Sequence, residues 1–209
     1  MRKVIFDGDG TLYDSGKSIK RSCLHTLEVL NYPAIDPDKL DFFVGPPLRE
    51  SFRLCSVKET DLDRACGIYR LYQKENCLFD IVPYDGILSL IPSLKKDGYL
   101  IYLGTSRAYD VGKRLVEHVG LDKYFDGYFG ADKDGSHALK DEILKKVDES
   151  TPKAEISYMI GDTYMDIDAG RKVGYKTVGC LYGYGDEKRL KASKPDYLIS
   201  DPKEMFSIL

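Results

Sequence analysis

The chain has 209 residues, 43% of them hydrophobic and 31% charged, enough apolar material for one sizeable core or a core carrying a smaller inserted unit. A formal net charge of −3 excludes a general attraction to nucleic acid or to an anionic membrane, so any anionic ligand must be held by local groups. No apolar run approaches the roughly 18 residues of a membrane span. The five cysteines are odd in number, widely spaced and free of CxxC pairs, which points to reduced thiols in a cytoplasm.

In chain order, RKVIF at 2–6 reads as a short buried strand ending at Asp7. From about 15 to 78 the character changes. SIKRSCLHTLEVL, DPDKLDFFV, PLRESFRLC and the stretch 58–76 read as helices with no strand between them. After Pro83 helix and strand alternate. A helix over 85–96 contains Pro92, which should kink it or remove a hydrogen bond. YLIYLG at 99–104 is a strand, followed by a helix with Val111, Leu115, Val116 and Val119 on one face. DGYFGA is the next strand, then a helix near 138–148 with Leu139, Ile143, Leu144 and Val147 inward. ISYMIG at 156–161, a helix stopped by Gly174, KTVGC and YLI complete the series.

This alternation predicts an α/β fold, a doubly wound, mostly parallel, Rossmann-like sheet. The helical block follows the first strand at once. It is therefore expected at that strand's carboxyl end, the edge where open α/β sheets bind ligands. The expected organisation is a core of residues 1–14 and 83–209 with an inserted helical cap over 15–82.

The stretch VIFDGDGTLYDS puts Asp7 and Asp9 one residue apart in a glycine-rich turn after the first strand. Carboxylates that close repel, so the pair needs a cation or a task that uses both acids. One can attack phosphorus while the other trades protons with leaving group and water. Gly8 and Gly10 free the backbone to turn and present N–H groups to an anion. A calcium loop of the EF-hand type is excluded, because Leu12 and Ser18 stand where glycine and glutamate are needed.

MIGDTYMD supplies a second acidic pair, Asp162 at a strand end and Asp166 one helical turn on. Hard oxygen ligands from two strand ends suit Mg²⁺; the plainer reading is a helix cap with an acidic first turn. Thr105, with Ser106 beyond it, closes a strand where a hydroxyl and the N–H groups of a helix start would bind phosphate oxygens. An ammonium within a few ångströms would balance the remaining negative charge and bind the phosphate oxygens. Lys140 and Lys145 both qualify, and nothing local separates them.

Taken together, DGDGT, Thr105, Lys140 and GDTYMD resemble, in order, the four motifs of the haloacid dehalogenase-like superfamily, with the helical block in the place of its cap. The resemblance implies a phosphatase with Asp7 as nucleophile, Asp9 as acid and base, and Thr105 and Lys140 on the phosphate. It also implies Mg²⁺ on Asp7, the Asp9 carbonyl and Asp162, with Asp166 orienting the metal's water or its surroundings. FVGPPLRESF and GYGDEKRL resemble the phosphoglycolate phosphatase branch and its nucleotidase- and pyrophosphatase-labelled relatives. Two features depart from that branch: Gly8 replaces a bulky apolar residue, and the third motif reads ALKDEI, without the common Lys-Pro pair.

The expected substrate is a small phosphorylated metabolite, for a monomer or homodimer with no nucleic-acid or membrane partner. Arg49, beside Gly45, Pro46 and Pro47, is a candidate for a substrate carboxylate or second phosphate. His25, His118 and His137 read as structural. A hexose-phosphate mutase shares both acids. A phosphorylated receiver would need its acceptor aspartate on a later strand, and a binding module would have no reason to keep Asp7, Asp9 and Asp162 together.

Overall fold

A computed structural model describes residues 1–133 and 136–209. Six strands, β1 (Arg2–Phe6), β4 (Tyr99–Ala108), β5 (Gly127–Ala131), β6 (Ile156–Gly161), β7 (Lys176–Cys180) and β8 (Tyr197–Ile199), form one parallel sheet. Its order is β5-β4-β1-β6-β7-β8. The first strand lies in the middle and the chain winds outward to both sides, the doubly wound arrangement.

Burial explains why RKVIF is an unbroken apolar run. Val4 and Phe6 join the cluster formed with α4 (Ile87–Lys96) and α5 (Tyr109–His118). Ile5 points to the other face, against Leu144 and Val147 of α6 (Lys140–Ser150) and Ala169 of α7 (Tyr164–Lys172). Covered on both faces, the strand has no polar side to alternate with. The register then sets the chemistry. Phe6 pairs with Leu103 on one side and Ile160 on the other, so Asp7, Thr105 and Asp162 all emerge at one edge.

Between β1 and β4 the chain forms α1 (Gly16–Val29), α2 (Leu48–Leu54) and α3 (Leu62–Asn76). These helices bury their own apolar cluster, including Cys23, Phe43, Phe52 and Tyr69. A short antiparallel ladder of β2 (Tyr13–Asp14) and β3 (Val82–Pro83) joins the two connecting segments. Two-residue strands carry no readable period, and the sequence did not reveal them.

Three local expectations need correction. DPDKLDFFV is not one helix but two 3₁₀ turns, the first capped by Asp36 with Pro37 at its start. The helix expected from 85 begins at Ile87, because Gly86 takes φ +91°, and it runs through Pro92. Leu139 is not inward: it is the extended residue preceding α6 and is 54% exposed, while Ile143, Leu144 and Val147 are buried as expected. The helix from 164 does stop before Gly174, at φ +81°. The five cysteines are all buried and unpaired. No helix among the described residues is long and apolar enough to cross a membrane.

Candidate active site

The loop after β1 is a tight turn in which the N–H groups of Thr11 and Leu12 donate to the Gly8 carbonyl at 3.2 and 2.9 Å. Gly10 sits at φ +77°, and a Cβ there would collide with the Asp162 carboxylate. Gly8 is glycine for another reason. The Tyr13 hydroxyl occupies the space its side chain would need. Tyr13 is fully buried, and its hydroxyl has no hydrogen-bond partner among the described residues. The bulk missing at position 8 is thus supplied from position 13.

Asp7 is held by the core alone. Its Oδ1 accepts from the Gly8 N–H at 2.8 Å and lies 2.9 Å from Lys140 Nζ. The same ammonium is 2.9 Å from Asp166 Oδ1 and donates to the Gly104 carbonyl at 2.8 Å. Lys140 is buried as the first residue of α6, whereas Lys145 is exposed on the same helix. Asp166 Oδ2 accepts from the Thr163 N–H and hydroxyl, closing the capping box of the plainer sequence reading, while Oδ1 faces Lys140. Asp162 Oδ2 accepts from the N–H groups of Tyr184 and Gly185, at 2.8 and 3.2 Å. Side chains at Gly183 or Gly185 would collide with Asp162, so the GYG turn is a fitted cradle for it.

Burial raises Asp7 from an ordinary 3.8 to about 7, with Lys140 opposing and Asp166 adding to the rise. Burial, Asp7 and Asp166 likewise push Asp162 well up. Burial would lower Lys140, but Asp166 and Asp7 outweigh it and hold the ammonium charged. Three buried carboxylates facing one ammonium leave an excess of two negative charges when all are ionised. One oxygen from each of Asp7, Asp162 and Asp166 comes within 4.8 Å of the others. Hard oxygen donors with that excess charge fit a divalent cation of the Mg²⁺ kind.

Asp9 sits in a different setting. Its Oδ2 accepts from Arg107 Nε at 2.6 Å, and its Oδ1 accepts from Arg107 Nη2 at 2.9 Å and from the Ser15 hydroxyl at 2.5 Å. Arg107 Nη1 continues to Gln73 Oε1 of α3 at 2.7 Å, and Gln73 Nε2 donates to Tyr69 and Ser18. Burial would raise Asp9, but the charge and hydrogen bonds of Arg107 prevail and hold it below the usual carboxylate range. None of Arg107, Ser15 and Gln73 is among the residues that the sequence analysis singles out. Gln73 carries no signal of its own. The position of Arg107, two residues past a strand-end threonine, was the available clue.

Thr105 is buried at the expected edge, but no helix starts behind it. β4 continues to Ala108 through a bulge, with Thr105 opposite Gly130 and Ala108 opposite Ala131. Bulges re-aim side chains at sites, and here the extra residues are Ser106 and Arg107. The Arg107 N–H turns back to Thr105 Oγ1 at 3.2 Å, so that donor is already engaged. A Cβ at Gly130 would strike the backbone of residues 107–109, which is why the facing strand carries glycine.

A cavity of about 620 Å³ opens between the sheet edge and the helical insertion, a size suited to a small organic ligand. Asp7, Asp9, Thr105, Ser106 and Arg107 form its floor, and Arg49, Tyr69 and Gln73 line it from the insertion. Arg49 is ion-paired with Asp63, a well-exposed residue. The insertion also touches the fourth motif: Gly45, at φ +104°, comes so close that a Cβ would lie 2.9 Å from Thr163 Cγ2. His25 stacks on Tyr72 and His118 on Phe79. His137 lies in the cavity wall, 3.7 Å from Glu142.

Comparison with known proteins agrees with this geometry. Residues 4–180 match the family model described as haloacid dehalogenase-like hydrolase. A 5'-nucleotidase of Pseudomonas aeruginosa is 29% identical over 99% of this chain and 94% of its own. A phosphoglycolate phosphatase of Aquifex aeolicus is 28% identical over 100% and 97%. The crystal structure of a predicted phosphatase from Clostridium acetobutylicum superposes with a TM-score of 0.94, at 32% identity over 99% of this chain and 97% of that one.

Proposed function

Since the chain belongs to the haloacid dehalogenase-like hydrolases, with full-length relatives named as a phosphatase and a nucleotidase, we propose that it is a Mg²⁺-dependent phosphatase acting through an aspartyl-phosphate on Asp7. The observation that carries this reading is the opposite setting of the two loop acids: Asp7 faces Lys140 and two further carboxylates, and Asp9 faces Arg107.

Asp7 attacks the phosphorus of a small phosphate monoester, and the bond to the leaving oxygen breaks as Asp9 gives that oxygen a proton. Asp9 then takes a proton from the water that hydrolyses the acyl phosphate. The Thr105 hydroxyl and Ser106 hold the phosphoryl oxygens, joined by Lys140 and the Gly8 N–H as these turn from the Asp7 carboxylate they engage in the structure. Asp7, the Asp9 carbonyl and Asp162 would hold the cation, with Asp166 beside them. When bound, Mg²⁺ supplies charge neutralisation at the phosphoryl group. Both Asp9 oxygens accept hydrogen bonds in the structure, and Arg107 holds the group ionised. Before Asp9 can donate, Arg107 must release one oxygen and Asp9 must take up a proton, the one it later regains from the attacking water. Residues 15–82 act as the cap that excludes water and selects the substrate, in a protein we place in the cytoplasm.

The test is phosphate release from p-nitrophenyl phosphate. Turnover is expected with Mg²⁺ and lost with excess chelator. It should also be suppressed by Ca²⁺, whose larger and more flexible coordination sphere misplaces Asp7. Full activity in chelator would overturn the proposal.

A further inference from the structure

The cation that the sequence offers for a substrate's far end, Arg49, is engaged by Asp63. Three other cations at the cavity have no ion-pair partner among the described residues, although the Arg114 guanidinium lies over the Phe79 ring, 5.3 Å from its centroid, a contact that leaves its charge uncompensated. Arg70 and Lys74 lie one turn apart on α3, and Arg114 lies on α5 of the core; all three line the cavity. Among the described residues none of the three has a carboxylate within the 4.0 Å of an ion pair. Of the acids that share the wall, Glu50 pairs with Arg53 and Glu142 lies beside His137; Asp110 accepts only from the Val111 N–H at 3.0 Å and sets one negative charge against the three positive ones.

Like charges one turn apart weaken a helix, and like charges lining one cleft from both sides oppose its closing. Three such cations shared between insertion and core leave a local positive excess on a chain whose overall charge is negative. A group carrying two negative charges would offset that excess and bridge the two parts. A carboxylate brings one charge, a phosphoryl group about two. The cavity is also far larger than a two-carbon phosphate ester requires.

We infer that Arg70, Lys74 and Arg114 form a second anion subsite, and that the substrate class is a phosphate monoester bearing another phosphoryl group at its far end. This rests on the phosphatase reading above. One phosphate sits over Asp7 and is hydrolysed; the other is held at the cavity wall by the three cations.

The experiment compares, with Mg²⁺ present, alkanediol bisphosphates against ω-hydroxyalkyl and ω-carboxyalkyl phosphates of equal chain length. Charge-assisted contacts of this kind should favour the bisphosphate in kcat/KM by about 10- to 100-fold over the hydroxyalkyl ester. That exceeds the statistical advantage of two equivalent ends. The preference should shrink as salt rises, and the combined variant Arg70→Gln, Lys74→Gln, Arg114→Gln should abolish it. p-Nitrophenyl phosphate, which brings no second anion, is the internal reference for folding and chemistry. A loss confined to the bisphosphate supports the subsite; an equal loss on both substrates, or a preference that survives the variant, overturns it. A carboxyalkyl ester used as well as the bisphosphate overturns the phosphoryl assignment. If no ester releases phosphate at all, it is the phosphatase reading that has failed.

Discussion

Asp7 and Asp9 stand two positions apart on one loop, both buried, yet their surroundings push them in opposite directions. Asp7 belongs wholly to the core. Its counter-charge, Lys140, is shared with Asp166, and Asp162 completes a set still short of positive charge. Asp9 has a guanidinium to itself, and that guanidinium reaches into the insertion through Gln73. A one-residue spacer is enough for this division, because the turn through Gly8 and Gly10 sends one carboxylate toward β6 and the other toward the bulge in β4. The lesson is that the role of an acid is set by which element brings its cation.

The largest expected effect is on the Asp7 side. Asp7→Asn should reduce turnover by several orders of magnitude, since an amide cannot form the acyl phosphate. It should leave thermal stability equal or higher, because one of the mutually repelling carboxylates is gone. Measuring steady-state rates and melting together checks this; a sharp drop in melting temperature would show that Asp7 is needed for folding instead.

Removing the two cations should separate the sides next. Arg107→Met leaves Asp9 buried without its partner, a loss of about 3–5 kcal/mol for a broken buried pair. Lys140→Met removes the shared ammonium from Asp7 and Asp166. Mg²⁺ should restore much of the stability lost by Lys140→Met and little of that lost by Arg107→Met, read by denaturant melts with and without the ion. Equal rescue of both would erase the distinction.

A smaller effect tests the loop. Gly8→Ala meets the Tyr13 hydroxyl and should cost about 1–3 kcal/mol by overpacking. Pairing it with Tyr13→Leu should recover most of that loss, as judged by thermal melts. Additive losses in the double variant would mean that the two residues do not share the space.

The smallest effect is the pH dependence. Asp7 titrates near 3.8 unfolded and about 7 folded, so from about pH 4 to 7 the unfolded chain releases a proton that the native state keeps. Stability from this group therefore falls as pH rises through that window. Asp162 is raised as well and acts in the same direction. Asp9, held low, does the reverse: its contribution is present above 3.8 and is lost as pH falls through its folded value. Because Mg²⁺ needs ionised carboxylates, its stabilisation of the protein should be greater at pH 8 than at pH 5.5 by a few degrees of melting temperature. A gain that is larger at the acidic end would contradict the assignment of Asp7 to the cation.

Much of this was legible in the sequence, for identifiable reasons. Helix–strand alternation reports the sheet because burial on both faces demands apolar runs such as RKVIF and YMIG. Asp7 and Asp162 were legible because strand ends are marked by the apolar runs that precede them; Thr105 follows such a run too, but β4 continues past it to Ala108. Lys140 could not be told from Lys145 until α6 was seen to begin at residue 140. Arg107 and Gln73 were illegible as a pair, since they meet only through the packing of α3 over the β4 bulge. The GYG turn around Asp162 lies some twenty positions away; the sequence showed it only as part of the resemblance carried by GYGDEKRL, because backbone N–H groups do not reveal which side chain they hold.

The division between the two acids is tested most directly by Asp9→Asn. Asparagine keeps an acceptor for Arg107 and Ser15 but can neither give nor take the proton. General acid catalysis is typically worth about 10²- to 10⁴-fold, and an alkoxide leaving group needs that proton far more than p-nitrophenolate does. In a rapid-quench experiment the variant should form the phosphoenzyme slowly from an alkyl phosphate. From p-nitrophenyl phosphate it should release a burst of about one equivalent of nitrophenol per site and then turn over slowly, with phosphate trapped on Asp7. A uniform loss across both leaving groups, with no burst and no trapped phosphate, would mean that Asp9 only supports the fold and that the two acids do not share the chemistry.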